Sequence, residues 1–140
     1  ERERAKKLEY ISPIQKDKAS TDKDYNLAVS FCIEHIYRIS ICAGTHNEES
    51  SSKLIKLLEE KGIEKQDKRV YFSQLLGMSD HISYNLTHAS YNVAKYVPYG
   101  PVKEVIPYLI RRAEENTSIT GQTSRELSLI IKEKGRRRAE

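Results

Sequence analysis

RVYFSQLLGMSDHISYNLTHASYNVAKYVPYGPVKEVIPYLIRRAEEN, residues 69–116, decides how the rest of the chain is read. It opens on an apolar run, RVYFSQL, rich in aromatic and β-branched residues, and returns to a second such run, YNVAKYV. Between them SDHISYNLTHAS has the length of a short helix or an irregular turn, with Ser79 or Asp80 placed to cap it. Pro98 and Gly100 end the second run, and Pro101 suits a helix start, so a helix is expected from there to about Thr117. Strands alternating with helices are the pattern of βα units and a parallel sheet.

The upstream chain repeats the pattern. ISICAG alternates Ile39, Ile41 and Ala43 against Ser40 and Cys42 and predicts a buried strand. THNEESSSKLIKLLEEKG predicts a helix that turns Leu54, Ile55, Leu57 and Leu58 inward and stops at Gly62. Before the first strand, a helix capped by Thr21, with Asp24 in a box-like position, is expected to bury Tyr25, Val29, Cys32, Ile33 and Ile36. Residues 1–9 read as the end of a helix, and 10–20 as a loop around Pro13. A last helix, SRELSLIIKEKG, is expected to pack Leu127, Leu129, Ile130 and Ile131.

Bulk properties exclude several classes. The 140 residues suffice for one domain with a core, and their longest apolar runs are too short to cross a membrane. The charged start, ERERAKK, has neither the apolar core nor the cleavage site of a signal peptide and reads as the middle of a longer chain. The net charge is +4, but the last nine residues, KEKGRRRAE, supply +3 of it. With no Trp and no basic stripe interleaved with aromatics, nucleic-acid binding is not expected. That tail reads as a solvated helix end, with an anionic membrane surface as the alternative. Cys32 and Cys42 match neither a redox pair nor a zinc half-site and are expected to be buried free thiols. His35, His46, His81 and His88 lack metal-site spacing, and no phosphate-binding lysine loop, GxGxxG or nucleophile elbow occurs. Asn85-Leu86-Thr87 and Asn116-Thr117-Ser118 fit the glycosylation triplet by chance.

Chemistry is expected where strands give way to helices. The first strand ends in Ala43-Gly44-Thr45-His46-Asn47, where Thr45, His46 and Asn47 present donors beside a helix start. Plain capping explains the same residues. Leu75 ends the second strand and Tyr96 the third, as pocket walls or as ordinary strand residues. On the following helix Tyr108 is succeeded by Arg111, Arg112 and Glu115, three, four and seven residues on, all on one face. Two guanidinium forks braced by a glutamate make a carboxylate clamp, and they equally make a solvated helix end.

Taken in order, THNEES, YFSQLLGMSD, KYVPYG and YLIRRAEEN resemble the proline dehydrogenase family, whose eighth helix carries Tyr-x-x-Arg-Arg-x-x-Glu-Asn. The resemblance implies an α/β fold: a partial TIM-like (β/α)8 barrel, strands 6 to 8 with their helices plus a C-terminal helix. Residues 1–140 would be the C-terminal portion of one catalytic barrel domain, with the first five βα units absent. It implies FAD as cofactor, oxidation of L-proline to pyrroline-5-carboxylate, and a quinone as electron acceptor. By position, Arg111 and Arg112 would hold the substrate carboxylate, and Tyr96, Tyr108 and Leu75 would pack on its ring. Glu115 would tie the clamp to the flavin side, and Thr45 and His46 would contact FAD.

The chain alone is expected to be catalytically silent and to self-associate through its open sheet edges. The expected compartment is the bacterial cytoplasm, peripheral to the inner membrane, with the mitochondrial matrix as alternative. Two other functions are kept open. One is a non-catalytic interaction module using Arg111, Arg112 and Arg136–Arg138; the other is a flavin-dependent barrel for a different amino acid such as hydroxyproline.

Overall fold

A computed structural model describes residues 1–118, 127–129, 131–132 and 134–135. The elements run α1 (Arg2–Lys7), α2 (Lys18–Glu34), β1 (Ile41–Gly44), α3 (Glu48–Glu60), β2 (Val70–Leu75), α4 (Asp80–His88), β3 (Val93–Tyr96) and α5 (Val102–Ser118). The strands form a three-stranded sheet among the described residues, in the order β1-β2-β3. The chain divides into two compact units, Glu1–Tyr71 and a second that starts at Phe72.

In the first unit α2 begins before the expected cap. Asp17, in extended conformation, accepts the Ser20 N–H at 2.7 Å, so the helix starts at Lys18, and Thr21 lies inside it with its hydroxyl bonded back to the Asp17 carbonyl. The hydrogen bond from the Ser20 N–H holds the Asp17 carboxyl below its ordinary range, as expected where backbone donors favour the anion. Val29 and Ile33 are the buried residues of α2 and pack it on α3 and β1, while Tyr25, Cys32 and Ile36 are half-buried. Burial raises the Tyr25 pKa, with the thiols of Cys42 and Cys32 adding to it.

β1 is shorter than expected and only Ala43 on it is buried. Cys42 points to the opposite face of the strand and is exposed, and Cys32 is half-buried, so the two free thiols are not the buried pair the apolar context suggested. α3 matches its expectation more closely. Asn47 caps it, Leu54 and Leu58 are fully buried, and Ile55 and Leu57 are half-buried. Gly62 at φ 63° ends it, with Gly62 N–H on Glu59 and Ile63 N–H on Leu58, the two bonds of a Schellman motif. Asp67 and Arg69 then clasp each other before β2, with Arg69 Nη1 reaching the Ile36 carbonyl at 3.3 Å.

In the second unit β2 pairs with β3 in parallel, with Phe72, Ser73, Gln74 and Leu75 opposite Val93, Ala94, Lys95 and Tyr96. Side chains alternate across a strand, so Phe72, Gln74, Val93 and Lys95 share one face, and Ser73, Leu75, Ala94 and Tyr96 share the other. α4 packs on β3 and buries Ile82, Ser83 and Leu86; beside it Phe72 meets Tyr91 edge-on at 5.5 Å. Ser79 occupies the cap position of α4 in left-handed conformation without a side-chain capping bond, so neither Ser79 nor Asp80 caps as expected.

α5 starts as expected, with the Pro101 carbonyl accepting from Glu104 and Val105 at 2.9 and 3.0 Å. Pro107 lies inside it, and a proline has no N–H to return to the carbonyl four residues earlier, that of Lys103. Val102, Ile106, Leu109 and Ile110 of α5 are exposed. Residues 127–129, 131–132 and 134–135 are helical, but Leu127 and Ile131 are exposed and do not form the expected packed face. Ile130 and Arg136–Arg138 lie outside the described residues.

Candidate functional site

The second unit gathers four of the expected substrate residues into one wall. Leu75 and Tyr96 are register partners at the carboxyl ends of β2 and β3 and share a sheet face. Leu75 is buried, whereas the next residue, Leu76, is exposed and donates its N–H to the Tyr96 carbonyl at 2.9 Å. The Tyr96 ring meets that of Tyr108 on α5 edge-on, at a centroid separation of 6.2 Å and an interplanar angle of 86°. One helical turn further, the Arg112 guanidinium lies over the Tyr108 ring, 5.6 Å from its centroid. The i,i+4 spacing of Tyr108 and Arg112 produces that stack. It lays the guanidinium against the ring face, where the quadrupole attracts it.

The wall therefore runs from an aliphatic residue through two phenols to a cation. Arg112 is half-buried with its Nε shielded from solvent, and Arg111 beside it is exposed. A planar guanidinium fixed on an aromatic face is pre-organised for two parallel hydrogen bonds to a carboxylate. The apolar stretch from Leu75 to Tyr108 suits a small aliphatic ring. Glu115 lies on α5, and the reach of its carboxylate falls outside the described side chains.

Of the expected cofactor residues, Thr45 and His46 lie in the first unit, and Glu115 in the second. Asn47 Oδ1 takes the N–H groups of Glu49 and Ser50, so capping of α3 falls to Asn47. Thr45 Oγ1 accepts the Asn47 N–H at 3.0 Å, and His46 beside it is half-buried. One turn in, the Ser50 hydroxyl is buried and has no hydrogen-bond partner. A hydroxyl with a donor to spare at a helix start fits an anionic group such as a phosphate. The first-turn carboxylates Glu48 and Glu49 oppose one.

Two features behind the wall escaped sequence reasoning. Lys95, on the opposite face from Tyr96, sends its ammonium to the Met78 carbonyl at 2.8 Å and to Asp80 Oδ1 at 2.7 Å. Gln74, its register partner and fully buried, accepts the Ser83 hydroxyl at 2.9 Å. Strand alternation was the available signal, since it puts Lys95 and Gln74 on the face that a following helix must cover. Among the described residues no cluster of His, Cys, Asp or Glu can hold a metal ion, and no helix is long and apolar enough to cross a membrane.

A family model described as Proline dehydrogenase matches residues 1–125. The chain is 43% identical to human "Proline dehydrogenase 1, mitochondrial" over 133 residues, which is 93% of this chain and 22% of that protein. It is 40% identical to a hydroxyproline dehydrogenase of Xenopus laevis, covering 98% of this chain and 30% of that one. The crystal structure of proline utilization A from Bdellovibrio bacteriovorus, inactivated by N-propargylglycine, superposes with a TM-score of 0.77 at 28% identity. That superposition covers 86% of this chain and 12% of the other. The chain thus spans less than a third of the length of each of these relatives.

Proposed function

The chain belongs to the proline dehydrogenase family, and we propose from that premise that it supplies the substrate-holding wall of an FAD-dependent oxidation of L-proline to pyrroline-5-carboxylate. The observation that carries the reading is the Leu75–Tyr96–Tyr108–Arg112 wall, apolar at one end and cationic at the other. Proline has that polarity, a hydrocarbon ring bearing a carboxylate. Arg111 and Arg112 hold the carboxylate, Leu75, Tyr96 and Tyr108 pack on the ring, and Glu115 braces the arginines. Thr45, His46 and Glu115 are the residues proposed to hold FAD, which would supply a hydride acceptor for the ring carbon next to nitrogen that does not bear the carboxylate.

Such a step asks little acid–base work of the side chains, and orientation is what the protein contributes. Fixing the carboxylate and the ring also fixes the ring carbon on the far side of the nitrogen, the one that gives up hydride to form pyrroline-5-carboxylate. In this reading residues 1–140 form the C-terminal portion of a (β/α)8 barrel, strands 6 to 8, and the chain by itself is silent. A quinone is the proposed final electron acceptor, which would bring the protein to a membrane surface. The mitochondrial name of the human relative favours the matrix over the bacterial cytoplasm. Hydroxyproline is the second substrate to test, given the similarity to a hydroxyproline dehydrogenase.

The test uses a chain that supplies the whole barrel around this segment, assayed for proline- and hydroxyproline-dependent reduction of a dye. Bleaching of the bound flavin by one of them supports the reading; a flavin that neither substrate bleaches overturns it. Purified residues 1–140 showing stoichiometric flavin and turnover would refute the silence of the isolated chain. A monomer by light scattering would refute its self-association.

A further inference from the structure

We propose that Lys95 is a positioning residue for the Leu75–Tyr96 wall, acting through the turn that follows β2. The inference rests on the reading of Leu75 and Tyr96 as substrate contacts and adds a residue that cannot itself touch substrate, because it points to the other face of the sheet.

The turn at issue joins Leu75 to α4. The Leu75 carbonyl accepts the Met78 N–H at 3.0 Å, with Gly77 at φ 79°. Ser79 follows at φ 50°, a left-handed conformation disfavoured for a residue with a Cβ. A strained residue persists where its surroundings over-determine it. Here the two residues that flank Ser79 are gripped by one ammonium, since Lys95 Nζ reaches the Met78 carbonyl and the Asp80 carboxylate. On the far side the Ser79 carbonyl takes the N–H groups of Ile82 and Ser83, and the Ser83 hydroxyl reaches Gln74.

The anchor point matters as much as the bonds. Lys95 precedes Tyr96 in β3 and pairs with Gln74, which precedes Leu75 in β2. The tie therefore fastens the turn to the strand that carries the other half of the wall, one residue away from it. The Lys95 side chain is 23% exposed and that of Asp80 46%, so water is only partly available to replace the ammonium at the Met78 carbonyl. Without the charge, both acceptors lose a strong donor and the turn around Ser79 is held less tightly. Leu75 then loses its fixed position against Tyr96, while Arg111, Arg112 and the α3 start are untouched. The expected signature is weaker substrate binding with the chemistry preserved.

The experiment compares variants in a chain supplying the whole barrel, with proline KM, kcat and flavin absorbance as readouts. Lys95→Met keeps the aliphatic stem and removes the charge; KM is expected to rise about tenfold, with kcat within about twofold and the flavin retained. Lys95→Arg, which can still reach both acceptors, should recover KM to within about threefold of the parent. Leu75→Ala should raise KM, and adding Lys95→Met to it should change little, because both act on one contact. An unchanged KM in Lys95→Met alongside a raised KM in Leu75→Ala overturns this inference alone. An unchanged KM in Leu75→Ala overturns the reading of the wall and the inference with it. A Lys95→Met chain that loses thermal stability and kcat together at constant KM shows a merely structural lysine and also overturns it. If Lys95→Met does not accumulate, Asp80→Asn, which weakens the same tie, is expected to raise KM about threefold, and an unchanged KM there is equally decisive.

Discussion

The Tyr96 ring stands almost perpendicular to that of Tyr108, at 86° and 6.2 Å, so a strand end and the helix residue directly after Pro107 share one aromatic contact. Tyr108 also carries Arg112 on its face. An edge-to-face pair contributes about 0.5–1.5 kcal/mol beyond burial, and a cation over a ring about 0.5–1 kcal/mol. Tyr108→Ala is expected to raise the proline KM about tenfold, and Tyr108→Phe to stay within about twofold, because the ring and not the hydroxyl makes both contacts. Steady-state kinetics in a complete barrel chain measures both; equal losses in the two variants would point to the hydroxyl instead.

Arg111 and Arg112 separate along their surroundings. Removing one partner of a desolvated charge pair costs about 2–5 kcal/mol, whereas an exposed one matters less. Arg112→Ala should therefore raise KM by about a hundredfold or more, and Arg111→Ala by less, with flavin absorbance intact in both. Lysine at position 112 should recover only part of the loss, since it lacks the planar fork. A normal KM in Arg112→Ala would remove the carboxylate clamp from the reading.

Asp67 ties the entry to β2. Hydrogen bonds from the Arg69 side chain and backbone lower its pKa to about 2, against 3.8 for an ordinary aspartate. A pKa depressed on folding stabilises the fold above the ordinary value, and that contribution is lost as pH falls from about 4 toward 2. The pair lies at the surface, so its worth is about 1 kcal/mol or less. Thermal melts from pH 7 to pH 2 should show Asp67→Asn less stable by that amount at neutral pH and level with the parent at pH 2. A constant deficit across the range would assign the loss to packing instead.

Gly62→Ala tests the end of α3. A Cβ at Gly62 meets nothing within 4 Å, so any loss comes from the backbone conformation at φ 63° and not from a clash. About 1 kcal/mol of stability should disappear, read as a lower melting temperature. No change would mean that the Schellman turn relaxes at no cost.

The order of elements was legible because periodicity survives in short segments. Leu54 and Leu58 mark the buried face of α3, and Val70–Leu75 reads as a strand in sequence and structure alike. Caps were less legible, because several residues near α2 are competent and only the path of the chain selects Asp17 over Thr21. The wall was half legible. The spacing of Tyr108 and Arg112 fixes their stack locally, but Tyr96 against Tyr108 is a contact between elements that no periodicity encodes. Alternation could have placed Lys95 on the face under α4, but its partners Met78 and Asp80 lie across a turn whose left-handed Ser79 gives no warning in the sequence. The helix was expected to run through Pro107, and it does, although sequence rules read a proline inside a helix as a boundary.

Alternation along β2 and β3 also limits how this protein can change in length. Leu75 and Tyr96 stand on one face, Gln74 and Lys95 on the other, each pair a single residue from the next. Inserting or deleting one residue ahead of Tyr96 in β3 exchanges the two faces from that point on. An ammonium then enters the apolar wall, and a phenol is driven under α4. Point substitutions can be absorbed one at a time, but single-residue insertions and deletions in these strands cannot. Length variation among homologues should accordingly be confined to the connections, with the strands themselves inherited as fixed-length blocks.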